Sequence, residues 1–250
     1  MKSVPAILLF LLATSVTANS YVQIHENPVS LIIWYRADSA RQPDFAAYLE
    51  SHAALRFNWW KKNGYFSDYR LLLPTTSTVQ SWDAMAILTF KNRTDLQYWI
   101  EMEHKYPGGL DNEGLELGYP YRTYVCNQAY SGGEIPTAAN TTYMVKPYGF
   151  EDEALYRSFC NAYVVPEFRL WQQDGALRNY WIFINQFAEG PDWEVLMVLE
   201  YNDPGERSRA KNYADSILRR EPGWDLLNNI KSNARASDEE RIVARPVLPN

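Results

Sequence analysis

Cysteine and histidine are scarce in this chain of 250 residues, with two of the first and three of the second. No C-x-x-C, H-E-x-x-H or G-x-G-x-x-G occurs, so neither the usual zinc and dithiol motifs nor a dinucleotide-binding fingerprint is present. Positive charge is also in deficit: 24 Lys and Arg stand against 30 Asp and Glu, for a net charge of -6. No block of consecutive basic residues could neutralise a phosphate backbone, which excludes nucleic acid as an expected partner. Nor is there an unbroken apolar run of the roughly 18 to 20 residues that a membrane-spanning helix requires. The nearest approach is the N-terminal MKSVPAILLFLLATSVTANS, where Pro5, Thr14, Ser15 and Thr17 interrupt the apolar stretch. A single early charge at Lys2, the apolar Val4 to Ala13 and the small-residue end Val16-Thr17-Ala18 predict a secretory signal peptide over 1–18. The expected product is exported, periplasmic or secreted, with no membrane attachment after cleavage. In that compartment Cys126 and Cys160 are chemically permitted to pair, and geometry decides whether they do. The N-x-[ST] sites at Asn92 and Asn140 matter only where the source cell glycosylates.

What the chain has in quantity is aromatic residues, 15% of the total, including 9 Trp and 18 Tyr. Some recur at a fixed offset. Sliding the sequence on itself by 111 residues aligns 29–92 with 140–203 without a gap. Phe57 then falls on Phe168, Trp60 on Trp171, Gly64 on Gly175, Tyr69 on Tyr180, Trp82 on Trp193 and Leu88 on Leu199. Each copy carries the same signals in the same order. LIIWY (31–35) and TYMV (142–145) are β-branched and aromatic runs that predict strands. A helix is predicted from Pro43 to Asn63, with Phe45, Tyr48, Leu49, His52, Leu55, Arg56 and Trp59 along one face. Its counterpart spans Glu151 to Asp174, with Tyr156, Phe159, Cys160, Tyr163, Glu167, Leu170 and Trp171 along the stripe. Both helices end at a glycine, Gly64 or Gly175, suited to a left-handed C-terminal cap.

Strands are predicted next at 69–73 and 83–90, and at 180–184 and 194–201. A second helix follows in each copy, Asp95 to Tyr106 and Gly205 to Arg220, closed by Pro107-Gly108 and Pro222-Gly223. Final strands are expected at Tyr119 to Asn127 and Arg241 to Val247. Each copy is thus β-α-β-β-α-β, the ferredoxin-like unit, whose antiparallel sheet has helices on one face and an apolar bare face to cover. The expected fold class is α+β: two ferredoxin-like repeats packed sheet to sheet as a pseudo-dimeric barrel. The expected organisation is a first repeat over 19–128, a linker over 129–139 and a second repeat over 140–250.

This organisation, over roughly residues 28 to 248, resembles the dimeric α+β barrel superfamily in its tandem form, which includes EthD-like, NIPSNAP-like, antibiotic-biosynthesis monooxygenase and chlorite dismutase-like proteins. The resemblance implies a ligand cavity between the sheet and the two helices of one copy. It transfers a fold and not an activity, because function lives in the site grafted on the fold.

Candidate site residues follow from the predicted helix stripe. His52 is placed facing the sheet beside Tyr48 and Trp59, where an imidazole could act as an acid or base, supported by Arg56 and Tyr69. The plainer reading is a core histidine bonded to a strand carbonyl. The second copy has Tyr163 opposite His52 and Glu167 opposite Arg56, and these two, with Tyr48, Trp59 and Tyr180, are the candidate ligand-binding set. The plainer reading is that Arg56 and Glu167 snorkel to solvent. Glu101 and His104 form an i, i+3 pair but lack a third ligand, so no metal site is expected. Haem is disfavoured, because the chlorite dismutase-like resemblance implies a haem in the C-terminal copy and that copy contains no histidine. No cofactor is implied. The leading expectation is a binder of a small aromatic or apolar molecule; the alternatives are a cofactor-independent monooxygenase, isomerase or lyase using His52, and a structural protein with a filled core.

Overall fold

The computed structural model describes residues 28–75, 82–133, 136–150, 152–187, 193–202 and 242–249. The first repeat runs β1 (Val29–Ala37), α1 (Gln42–Tyr48), α2 (Ala54–Lys62), β2 (Asp68–Pro74), β3 (Ala84–Phe90), α3 (Arg93–Glu103), α4 (Asn112–Leu117) and β4 (Gly118–Gly132). The second runs β5 (Thr142–Tyr148), α5 (Glu153–Phe159), α6 (Val165–Gln173), β6 (Leu177–Asn185), β7 (Val195–Tyr201) and β8 (Ile242–Pro246). The expected signal segment and the expected helix from Gly205 to Arg220 lie outside the described residues.

Each half forms an antiparallel sheet with the ferredoxin-like strand order, β4-β1-β3-β2 and β8-β5-β7-β6. Taken alone, each sheet would expose two unpaired edges. The halves remove them reciprocally: β2 pairs with β8, and β4 pairs with β6, so eight strands close into one barrel. The pairing with β6 carries β4 past residue 128 into the expected linker, with Tyr130, Ser131 and Gly132 opposite Ile182, Trp181 and Tyr180.

Alternation along the strands sorts side chains between two environments. Ile32, Ile87, Val145, Phe183, Leu196 and Val198 fill the barrel interior. Leu31, Ile33, Ala86 and Leu88 point outward to the first repeat's helices, and Ile182, Ile184 and Leu199 to those of the second. Both faces are buried, which is why these strands read as continuous apolar runs rather than alternating ones. Cys126 belongs to the interior and Cys160 to the outer core of the second repeat, and both are free thiols. The permitted disulfide is not formed.

The first long helix departs from the expected stripe. Between α1 and α2, residues Leu49–Ala53 form a π-helical turn, and in the second copy Cys160–Val164 does the same, again 111 residues on. A π turn accommodates about one extra residue, which rotates everything after it around the axis. The buried face is therefore Phe45, Tyr48, Leu49, Ala53, Phe57 and Trp60. The 3.6-residue extrapolation instead selected His52, Leu55 and Trp59, and all three are exposed. Both helices do end at the expected glycines, with φ of 80° at Gly64 and 76° at Gly175 and open space around each, so conformation alone selects glycine there.

Candidate functional site

In the first repeat, the described residues expected to line a cavity between sheet and helix do not assemble into one. Phe57, Trp60, Phe66 and Trp99 fill that layer in the first repeat through contacts such as Trp60 on Trp99, ring centroids 5.1 Å apart. His52 faces solvent, against the expectation that it faces the sheet; its Nδ1 lies 2.8 Å from Ser51 Oγ and its ring stacks on Tyr48 at 5.7 Å. Trp59 is 54% exposed.

Arg56 is bound to a structural segment. It forms an ion pair with Asp111, donates to the Gly109 carbonyl at 3.2 Å and to the Tyr48 hydroxyl at 3.0 Å, and lies over the ring of Tyr106. Tyr48 in turn donates to Asp111 Oδ1 at 2.7 Å. Burial alone would raise the Asp111 pKa, but the Gly114 amide, the Tyr48 hydroxyl and the Arg56 guanidinium outweigh it and hold the carboxyl below its ordinary value. This network ties α2 to the turn preceding α4. The backbone there passes so close that a Cβ on Gly109, where φ is +80°, would sit 2.4 Å from the Phe57 ring.

Tyr69 donates to the Ala54 carbonyl at 3.2 Å, and burial raises its pKa to about 12. In the second repeat, Tyr163 is buried and stacked on Phe159, Tyr180 packs on Phe168 at 5.0 Å, and Glu167 is buried in α6. Of these candidates, Trp59 borders a surface cleft of about 630 Å³ with Tyr65, Tyr98 and Met102, and Tyr69 borders a second cavity at the barrel itself.

That cavity, about 940 Å³, opens at one end of the barrel. The opposite end is closed by Trp34, Tyr124 and Trp193, with Tyr124 and Trp193 ring centroids 4.7 Å apart. At the open end gather the starts of β2, β5 and β6 and the ends of β4 and β8. Here the apolar interior gives way to Arg70, Tyr143, Asn179 and Glu200. The Arg70 guanidinium carbon lies 3.5 Å from the centre of the Trp181 ring, and its Nη2 pairs with Asp68 at 2.8 Å. The Asp68 carboxylate also holds Lys61 at 2.6 Å.

Glu200 is completely buried. It accepts from Asn179 Nδ2 at 2.8 Å and from Thr137 Oγ1 at 3.4 Å, and lies 3.6 Å from Arg178 Nε. Thr137 Oγ1 is 2.8 Å from the Tyr143 hydroxyl, which lines the cavity. Burial first, and the nearby Glu200 charge second, raise the Tyr143 pKa, so this phenol stays protonated at neutral pH.

The two copies differ in chemistry at this mouth. Arg70 and Trp181 occupy equivalent positions in the repeat, 111 residues apart, and stack on one another. The same offset relates Asp68 to Asn179, Thr89 to Glu200 and Ile32 to Tyr143. One signal in the sequence marked this place. Arg70 interrupts YRLLL and Glu200 interrupts EVLMVLEY, and charged residues inside strands buried on both faces are rare without a partner.

A closed barrel of two ferredoxin-like sheets with helices outside, both halves on one chain, is the dimeric α+β barrel fold in tandem form. No family model and no curated protein matches the sequence. Solved structures match over nearly the full length. A candidate monooxygenase from Fusobacterium nucleatum subsp. nucleatum is similar at 9% identity and a TM-score of 0.56, covering 90% of this chain and 94% of that one. A heme-binding protein from Thermus thermophilus is similar at 13% identity and 0.56, covering 88% and 91%. An anthrone oxidase-like protein is similar at 11% identity and 0.53, covering 89% and 92%.

Proposed function

We propose that this protein binds a small molecule at the open mouth of the barrel, and that it does so outside the cytoplasm after removal of the N-terminal segment 1–18. The observation that supports this is the placement of polarity. A barrel core that is apolar through its middle and sealed by aromatics at one end carries Arg70, Tyr143, Asn179 and Glu200 at the other, beside an open space of about 940 Å³. Concave, largely apolar sites with a few convergent polar groups are where small ligands bind. The solved neighbours described as heme-binding or as a candidate monooxygenase support small-molecule chemistry on this fold.

Haem itself does not suit the residues present. His52 and His104 lie on exposed helix surface and the second repeat has no histidine, so among the described residues no imidazole faces the barrel interior or the second repeat's core.

The test is native mass spectrometry of protein purified without denaturation, with Leu248→Trp as the comparison. Leu248 lines the mouth and is half-buried, so an indole there fills the opening from the rim. A retained small-molecule adduct that disappears in the variant is the expected result; an adduct that persists in Leu248→Trp places the ligand elsewhere and overturns the proposal.

A second reading, cofactor-independent catalysis, is favoured by the hydrogen-bonded series Tyr143, Thr137, Glu200, which presents a protonated phenol to the cavity backed by a buried carboxylate. It requires that turnover of the retained ligand fall in Tyr143→Phe while binding survives. Turnover unaffected by that substitution removes Tyr143 from the chemistry.

A further inference from the structure

We infer that the ligand of the barrel mouth is a small organic anion, a carboxylate carried on an aromatic or apolar body, with Arg70 as its charge partner. This rests on the mouth being the binding site. The chain as a whole is acidic, at -6, yet the charged residues lining the cavity are Arg70, Lys61, Lys62 and Lys91 against Asp68 and Asp95. An acidic protein that concentrates cations around one concave opening focuses a positive potential there.

The arrangement around Arg70 is built for a carboxylate. Its guanidinium is held against the face of Trp181, which fixes the plane in which the N–H groups point. The side chain is 12% exposed, and Nε has no hydrogen-bond partner among the described residues. One carboxylate already sits beside it: Asp68 bridges Nη2 of Arg70 and Nζ of Lys61. That pairing uses one end of a fork that can hold two carboxylate oxygens. Asp68 is 36% exposed, so it can yield part of this contact to an incoming anion without leaving a buried charge unpaired.

The second repeat removes the repulsion such a ligand would otherwise meet. Where the first repeat has Asp68, the second has neutral Asn179, and its amide is turned onto Glu200. Glu200 is further compensated by Arg178 and closed off from solvent. Leu71, Leu72, Pro246, Val247, Leu248 and Pro249 give the lining an apolar side, facing polar groups such as Ser67, Ser131 and Thr137, and that side suits a hydrocarbon body rather than a hydrated inorganic ion.

The experiment is isothermal titration of the signal-free chain with three ligands of one shape: 1-naphthoate, 1-naphthalenemethanol and 1-naphthylmethylamine, with inorganic phosphate as a competitor. The expected result is 1-naphthoate binding about tenfold or more tighter than the alcohol, as charge-assisted pairing requires. In Arg70→Gln the two should fall within about twofold of each other, with Arg70→Lys intermediate. Urea unfolding of each variant confirms that the fold is kept, and Arg70→Lys carries the comparison if Arg70→Gln does not fold.

Equal or tighter binding of the alcohol or the amine, abolished by Leu248→Trp, overturns the anion assignment and leaves the mouth as the site. Phosphate displacing 1-naphthoate at comparable concentration overturns the organic part of the assignment. Absence of binding by all three, or binding indifferent to Leu248→Trp, overturns the mouth as the site and this inference with it.

Discussion

Asp111 and Arg56 serve architecture, where the same residue types at Asp68 and Arg70 belong to the site proposed at the barrel mouth. Arg56 is fully engaged by Asp111, Tyr48 and the Gly109 carbonyl, so its loss is a stability event. Arg56→Ala should cost about 1.5–3 kcal/mol in urea unfolding, the range for hydrogen bonds to charged groups, while leaving ligand binding at the mouth unchanged. The Asp111 carboxyl is held below its ordinary pKa, so the stability it contributes is fully present above the unfolded value, about 3.9, and is lost as pH falls through the lower folded value. Unfolding midpoints measured from pH 7 down to pH 2 should therefore fall more steeply below about pH 4 in the wild type than in Asp111→Asn. Tyr69 has the opposite sign. Its pKa is raised to about 12, so its contribution is complete below the ordinary tyrosine value and is lost as pH rises from about 10 to 12. At this scale the sequence identified Arg56 and Tyr69 as notable but not their task, because partners 53 and 55 residues away in the chain are not visible in a local pattern.

The π turns are the feature at the scale of the element that most changed the reading. Their signature is faint: Ala53-Ala54 and Val164-Val165 place two small or apolar residues in succession where one stripe hands over to the next. With one exposed residue of the turn removed, Phe45, Tyr48, Leu49, Ala53, Ala54, Phe57 and Trp60 would fall at spacings of three, one, three, one, three and three, the stripe of a regular helix. Deleting Ser51 should accordingly be tolerated, with a loss of about 1–2 kcal/mol, within the common range for single changes. Deleting Asn58, within the regular α2, rotates the fully packed Trp60 off the buried face and should cost about 3–5 kcal/mol, comparable to truncating a buried aromatic. Chemical denaturation of the two deletions, side by side, checks the assignment; equal losses would mean that the turn carries no special slack.

For the whole molecule, the barrel exists only because each half supplies the edges the other lacks. A fragment ending at Gly133 leaves β2 and β4 without β8 and β6, and exposes the inward face of its sheet to water. It should dimerise through those edges or aggregate, not behave as a stable monomer, as light scattering coupled to size-exclusion chromatography would show. The two thiols report the same closure. Cys126 in the barrel and Cys160 under the helices should react with a thiol reagent only after denaturation, and then in a ratio of two per chain without reductant.

The sequence by itself determined the repeat, the strands of both copies and the glycines that close the long helices. These are consequences of local pattern: an offset of 111 between copies, β-branched and aromatic runs in strands, and a glycine where a left-handed residue is needed. Only the tertiary structure decided where the two copies meet. Strand pairing between β4 and β6 and between β2 and β8 sets which ends of the repeat face each other, and that brings Arg70 onto Trp181 and Glu200 beneath Tyr143 across long separations in the chain. Local periodicity carries no information about such contacts, and within the paired π turns His52 lies in solvent while its counterpart Tyr163 is buried. The divergence between copies on which the proposed site rests is the one closure assembles at the barrel mouth, at Asp68 and Asn179, Arg70 and Trp181, and Thr89 and Glu200.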